Sequence, residues 1–560
     1  MASPNANTNC FPWLLTILFG LCNTFLTVLF ANSLATSTAE PTPNNQTSAN
    51  SLPGETPEEQ PLNLVLAYFS FCACFFLSYV LYWRIGNDDW GMGSVPVAEG
   101  GIPILGHALA YKADPPAFLR NQERAVGKVF RINLAGRDMI IIGSDKKAMK
   151  QVATLPASVM SSEQALKTVG FDYTLGNINT SRGASIHKRI LRDEILGEKQ
   201  LDSFVFQMRL ALSNALDKEI SHHSESSSTV NDEIRVPDLF SLVRRCILRA
   251  SLDVMAGRTI ITQGEEIITE IMNFQDSVED ATAKDAILPR FISLPLVLWS
   301  TQKKRERLEK ELANRIRNSW DTSKKSQEKC GPWMKVFHES KFTPEEAASL
   351  VVGLMFAAHK NPAIGAAQSF CFLNDLGSES ELNAARKEAK LLLRGSECNA
   401  SLLHTQAPTL FRCVLETTRL TSHSLGALRY VKKAIVLDTE SNNSYRIGTG
   451  ETIAISHICS HRNEDIWENA ENYDMNRAEW DLADKFGQPV DIYKMTAFSQ
   501  GTHKCPGERV ALVLMEIMLA ALIDRDASLC GALPAVSFER ATLAQRDAPV
   551  PIIFKKMSSN

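Results

Sequence analysis

The sequence predicts a mainly α-helical protein with a small β region, preceded by one or two transmembrane helices. Three observations carry that expectation. Between Lys147 and Asp375, apolar residues recur mostly at helical spacing. Lys128 to Gly143 alternates and turns at Ala-Gly-Arg-Asp, the pattern of a hairpin at the edge of a small sheet. Phe11 to Phe30 is almost wholly apolar, and Leu62 to Trp83 is uncharged and rich in Phe, Leu and Tyr. At about 1.5 Å per residue, each can cross a hydrocarbon core of roughly 30 Å.

The composition is that of a large globular protein with added membrane segments: 560 residues, 44% hydrophobic and 22% charged. A net charge of -4 argues against a nucleic-acid binder. The twelve cysteines are scattered, with no CxxC pair, which fits reduced thiols in a cytosol-facing domain.

Residues 1–83 contain no Lys or Arg, and Arg84 is the first cation. This places residues 1–90 as a membrane anchor and 91–560 as a large domain in the cytosol. The first apolar segment reads as a span or a cleaved signal, though it lacks a basic start. The polar stretch 36–60 reads as a lumenal loop, and its Asn45-Gln46-Thr47 as a glycosylation triplet on Asn45. Pro96 to Gly106 is a stiff Pro/Gly linker.

Within the helical region, Ser221 to Asn231 and Thr322 to Gly331 are polar interruptions. Arg182 to Arg189 opens a helix with a basic face that includes His187 and Lys188. Pro344 to Asp375 reads as one long helix, with Thr343 as N-cap, Pro344 at the first position and Glu345 and Glu346 in the first turn. Pro362 cannot donate to the carbonyl of Ala358, so a kink is expected there. Glu416 and Arg419 share one face of the helical run Leu410 to Leu420, with Arg477 as their expected third partner. Ala434 to Leu437 and Tyr445 to Ile455 suggest a hairpin around Asn442-Asn443, and Ala535 to Lys556 a last β-rich segment able to close a pocket.

The most informative stretch is Phe498 to Gly507, F-S-Q-G-T-H-K-C-P-G, followed at once by the apolar run Val510 to Ile523. It is a Gly/Pro-bracketed loop opening into a buried helix, where helix N–H groups favour a thiolate at Cys505. Gly501 and Gly507 allow a sharp turn and close approach to something large and flat.

This loop, with Glu416-x-x-Arg419 and the arginine loop at Arg477, resembles the cytochrome P450 family over about residues 95–555. The resemblance implies the haem-thiolate fold, with Cys505 as proximal ligand of the haem iron and Phe498 packed beside the thiolate loop. It implies that His503 and Lys504 face the porphyrin carboxylates and that Arg429 grips a propionate. It makes His187 and Lys188 candidates for the other propionate contact, and Glu416, Arg419 and Arg477 a buried ionic triad. His461 matches a structural position.

The oxygen-side helix departs from the family pattern A-G-x-D/E-T: the chain has Ala357-Ala358-His359-Lys360-Asn361, with Asn361 where the threonine should be. The Asn-Pro arrangement is similar to that of members acting on sterols and prostanoids. Asn361 is the candidate to hydrogen-bond oxygen or water, and His359 the candidate proton source near neutral pH, unless it faces away.

With no G-x-G-x-x-G of its own, the chain is expected to take electrons from an NADPH-cytochrome P450 reductase on the same membrane. The expected activity is oxidation of a lipophilic substrate, a steroid, terpenoid or other secondary metabolite, at the endoplasmic reticulum. The overall look resembles fungal enzymes of secondary metabolism. Two other readings stay open: a haem-thiolate isomerase or dehydratase that acts on a peroxide without a reductase, and a non-catalytic membrane haem-binding protein.

Overall fold

The computed structural model describes residues 93–179, 184–226, 233–288, 290–322, 331–395, 403–481, 491–540 and 542–555. Contacts divide the chain after Ser78, and every described residue falls in the second unit, Tyr79–Asn560. The apolar segments 11–30 and 62–83, and the stretch 36–60 with Asn45, lie outside the described residues. Among the described residues, no helix is long and apolar enough to cross a membrane.

Twelve helices carry the architecture: α1 (Pro115–Val126), α2 (Lys146–Thr154), α3 (Ala184–Ile190), α4 (Glu198–Ser226), α5 (Leu239–Ser251), α6 (Glu266–Ile287), α7 (Trp299–Thr322), α8 (Pro344–Ala358), α9 (Lys360–Leu376), α10 (Glu379–Arg394), α11 (Pro408–Thr421) and α12 (Glu508–Asp524). Several begin at side chains that satisfy first-turn N–H groups. Asp145 accepts from Ala148 at 2.9 Å, and Asp238 from Ser241 at 3.0 Å. Thr343 and Glu346 form a reciprocal capping box at the start of α8.

The expected single helix over 344–375 is two helices, interrupted at His359. The cause is local. The ring of Pro362 excludes the carbonyl four residues back and removes a donor, so the first helix ends at Ala358. Pro362 then occupies the first turn of α9, where its missing N–H is no loss, and Ala363 donates to the His359 carbonyl at 2.9 Å. Helix α9 runs through the interior against α5, α11 and α12. Leu512 to Leu522 of α12 are buried on every face, which is why that stretch reads as unbroken apolar sequence.

The main sheet has five strands in the order β1-β2-β8-β5-β3: β1 (Val129–Leu134), β2 (Arg137–Ile142), β3 (Met160–Ser161), β5 (Leu425–Val431) and β8 (Thr452–Ser456). The β1–β2 turn is Ala135-Gly136, both at positive φ (50° and 89°), as a tight two-residue hairpin requires. Strands β6 (Ile435–Asp438) and β7 (Ser444–Ile447) form the hairpin around Asn442-Asn443, while β8 leaves them to pair with β2 and β5. At the C-terminal end, β9 (Ser528–Leu529) and β4 (Glu233–Val236) flank β12 (Ile552–Lys555). Between them β10 (Val536–Ser537) pairs with β11 (Gln545–Arg546), making a hairpin with a long tip.

Candidate active site

The Cys505 loop is closed by its own backbone. The Cys505 N–H donates to the Phe498 carbonyl at 2.7 Å, setting the half-buried Phe498 beside the cysteine at the mouth of α12. Ser499 (φ 57°) and Gly501 (φ 66°) make the reversal. A Cβ on Gly501 would overlap the carbonyl oxygen of Ala153 at the end of α2, so glycine is obligatory there twice over. Gly507 is different: its φ of -94° suits any residue, and the nearest atom to an added Cβ is Cys505 Sγ at 4.0 Å. Its value is the open space it leaves beside the sulfur.

The Cys505 side chain reaches solvent. Protein crowds its other sides, and that desolvation pushes the thiol's pKa up, against the pull of the Gly507 and Glu508 N–H groups and Lys504. A metal cation at the sulfur would take the place of its proton. Lys504 is bound to Glu508 at 2.7 Å and so is turned along α12, not toward the carboxylates expected for it.

Next to the loop, Arg429, His503 and Lys188 come together. Arg429 on β5 is 3% exposed. Its guanidinium donates to Ser499 Oγ at 2.8 Å and to the Leu428 carbonyl at 2.9 Å, and its Nε has no partner among the described residues. Burial alone pushes its pKa down to about 10. His503 lies 3.4 Å from Ser162 Oγ through Nδ1, with Nε2 unpartnered. Desolvation, with Arg429 and Lys188 nearby, pushes its pKa down to about 4. Lys188 on α3 thus belongs to this cluster, whereas His187 is held neutral by desolvation, with no tie to His503. A buried cation without counter-charge is costly, and of the three that is Arg429; Lys188 is exposed and His503 is neutral near pH 7, though both offer N–H donors. A flat group bearing carboxylates, seated on the open side of Cys505 and Gly507, would satisfy them. The residues present therefore fit an iron porphyrin.

On the other side of the loop, Glu416, Arg419 and Arg477 meet. Arg419 grips Glu416 through Nε and a terminal nitrogen at 2.9 and 2.8 Å, and Arg477 Nε approaches the same carboxylate at 3.1 Å. The remaining guanidinium hydrogens go to main-chain carbonyls, including Asn472 at 3.0 Å from both arginines. The Asp474 N–H donates to Glu416 at 2.9 Å. His461 joins in, holding the Arg419 carbonyl at 3.1 Å with one ring nitrogen and accepting from the Thr496 N–H at 2.8 Å with the other. The triad thus fastens α11 to the chain leading into the cysteine loop.

At the interruption between α8 and α9, Ala357 is exposed between the half-buried Phe356 and Ala358. Asn361 is half-buried. Its Oδ1 accepts from the Leu543 N–H at 3.1 Å, and its Nδ2 has no partner among the described residues. His359 does not fit a proton source near neutral pH. It is fully buried against Gln275 (3.1 Å) and the Met355 carbonyl (2.9 Å), and desolvation pushes its pKa down to about 3. Packing against α6 took a side chain that the sequence placed beside oxygen. Lys360 is also buried, between Asp276 at 2.7 Å and Glu279 at 2.5 Å.

Sequence reasoning missed Ser499, Ser162, Gln275 and Leu543 as partners of these groups. None has a local signal. Each meets its partner across 70 or more residues of chain.

A family model described as Cytochrome P450 matches residues 96–525. The chain is similar to lanosterol 14-alpha demethylase of Bos taurus, 22% identical over 482 residues, 82% of this chain and 88% of that protein. It is similar to the human enzyme of the same name, 21% over 495 residues, with 85% and 90% covered. It also resembles Cytochrome P450 720B2 of Pinus taeda, 21% over 473 residues, with 81% and 90% covered.

Proposed function

The chain belongs to the cytochrome P450 family, and from that premise we propose that it is a membrane-anchored monooxygenase of a lipophilic, steroid- or terpenoid-like substrate. Haem is the family's cofactor and monooxygenation its chemistry. The observation that carries the reading is the exposed Cys505 at the start of α12, flanked by Arg429, His503 and Lys188.

Bound there, haem supplies the iron that activates dioxygen for insertion into the substrate. One oxygen atom enters the substrate, and the other leaves as water with two electrons and two protons. The protein's own parts do the holding. Cys505 would ligate the iron, with Phe498 and the 501–507 turn packed beside that sulfur. Arg429 and His503, with Lys188, bind the carboxylates. Glu416, Arg419 and Arg477 keep that loop in place. Asn361 Nδ2 would be the donor available to oxygen or water.

The electrons come from an NADPH-cytochrome P450 reductase, because the chain shows no nicotinamide or flavin motif. The substrate class rests on the apolar segments at 11–30 and 62–83 and on relatives named for lanosterol demethylation. A place at the endoplasmic reticulum and in a secondary-metabolite pathway follows the same resemblance.

Co-expression with a reductase in microsomes tests the reading. The reduced carbon monoxide difference spectrum should show the red-shifted band of a thiolate-ligated haem, and extracted metabolites should differ from an empty control. Absence of porphyrin from folded protein rejects it. Turnover of a hydroperoxide without reductase, and no NADPH-coupled product, moves it to the isomerase class.

A further inference from the structure

One face of α9 is occupied by the tip of the β10–β11 hairpin. Asn361, Gly365 and Gln368 stand at i, i+4 and i+7, hence on one side of the helix. Asn361 Oδ1 accepts from the Leu543 N–H at 3.1 Å. The gap left by Gly365 is filled by Met515 Sδ, and Leu543 Cδ1 lies beside it at 3.5 Å from where a Cβ would stand, an ordinary packing contact. Gln368, fully buried, donates to the Ala544 carbonyl at 2.8 Å and accepts from Arg546 Nε at 3.0 Å. From the other side, the Ala544 N–H donates to the Thr421 carbonyl at 2.7 Å, at the end of α11. Thr542, Leu543 and Ala544 are all buried.

We propose that Asn361 is a positioning residue for the substrate pocket: its amide oxygen clamps the hairpin tip, through Leu543, onto the break between α8 and α9. The pocket wall at this point is then set by the pair Asn361 and Leu543. The inference rests on the monooxygenase reading for what the pocket does, but the clamp itself is independent of it.

Two features support a role in placing the tip beyond mere contact. First, β10 and β11 pair over only two residues each, so the hairpin's own ladder is too short to fix the tip. Second, Asn361 follows directly on the break at His359 and is half-buried, whereas the next turns of α9, Pro362 to Cys371, are buried throughout. The tip also touches the end of α11, from which the chain passes into β5. It therefore bridges α9 and the end of α11, the helix that carries Glu416 and Arg419.

The test is amide hydrogen exchange on haem-loaded protein, read on peptides covering 542–548, together with spectral titration by two azoles, 1-phenylimidazole and the bulky clotrimazole. Asn361→Ala should speed exchange at Leu543 roughly fivefold, the order expected for one net hydrogen bond. Asn361→Asp keeps the acceptor and should restore protection, although it lacks the amide donor. The affinity for clotrimazole, which reaches the wall, should fall severalfold in Asn361→Ala, and that for 1-phenylimidazole should hold. Gln368→Ala should loosen the same peptides without altering residue 361. Unchanged exchange in Asn361→Ala, or equal loosening in Asn361→Asp, overturns the clamp. A missing thiolate-haem carbonyl band in the wild type would instead reject the family chemistry and leave the exchange result standing. If Asn361→Ala does not yield folded protein, Asn361→Ser, too short to reach Leu543, is read in the same way.

Discussion

Arg477 Nε lies 3.1 Å from Glu416 Oε1, on the same carboxylate that Arg419 grips from one turn along its own helix. One acid therefore neutralises two guanidinium groups, and all three residues are buried.

That arithmetic makes Glu416→Ala severe. It strands two buried cations, and breaking even one buried pair costs about 3–5 kcal/mol. The variant should fail to incorporate haem, as read by the ratio of haem to protein absorbance after purification. Stoichiometric haem in Glu416→Ala would contradict the role given to the triad.

Arg429 leads to an opposite expectation for the two states of the protein. A buried guanidinium whose Nε has no partner among the described residues burdens the haem-free fold. Arg429→Leu should leave the melting temperature of haem-free protein unchanged or higher, and accelerate haem loss to apomyoglobin by about tenfold or more. Parallel loss of stability in both states would mean that Arg429 serves the fold alone.

The two glycines of the loop separate in the same way. Gly501→Ala meets both a left-handed backbone and the Ala153 carbonyl, so it should destabilise the haem-free protein as well. Gly507→Ala meets neither and should melt with wild type, showing its defect only in haem retention or spectrum. Calorimetry of both haem-free variants distinguishes the cases. Equal melting temperatures would show that the turn tolerates a side chain at 501.

Acid should unfold the protein through its buried histidines. His423 stacks edge-on against His457 at 4.9 Å, and His457 lies over His461 at 5.7 Å. Desolvation pushes His423 down to about 4 and His461 to about 3, and His457 well below its ordinary value. Arg419, Arg462 and His423 oppose a charge on His461, and His423 and His461 oppose one on His457. The unfolded chain protonates near pH 6.5 while the fold does not. Stability is thus complete above about 6.5 and falls as the pH drops toward each folded-state value, at up to about 1.4 kcal/mol per unit and group. His423→Phe keeps the ring and removes one proton. Its denaturant midpoint should decline less steeply than wild type between about pH 7 and 4.5. An identical slope would show that His423 does not contribute.

What the sequence determined by itself was everything that depends on a few neighbouring residues. The proline at 362 was bound to disturb the long helix, though the sequence read a kink where the chain makes a break, the Ala-Gly pair was bound to turn a hairpin, and the apolar run 510–523 to be buried. The spacing of Glu416 and Arg419 was bound to put them on one face. These are short-range steric and solvation effects, legible without a partner. Tertiary packing decided what each polar group at the site does. It turned Lys504 toward Glu508, enclosed His359 behind Gln275, and used the oxygen of Asn361 to hold Leu543 across 182 residues of chain. A helical pattern fixes which side chains share a face. Which neighbour that face meets is settled only when distant segments compete for it.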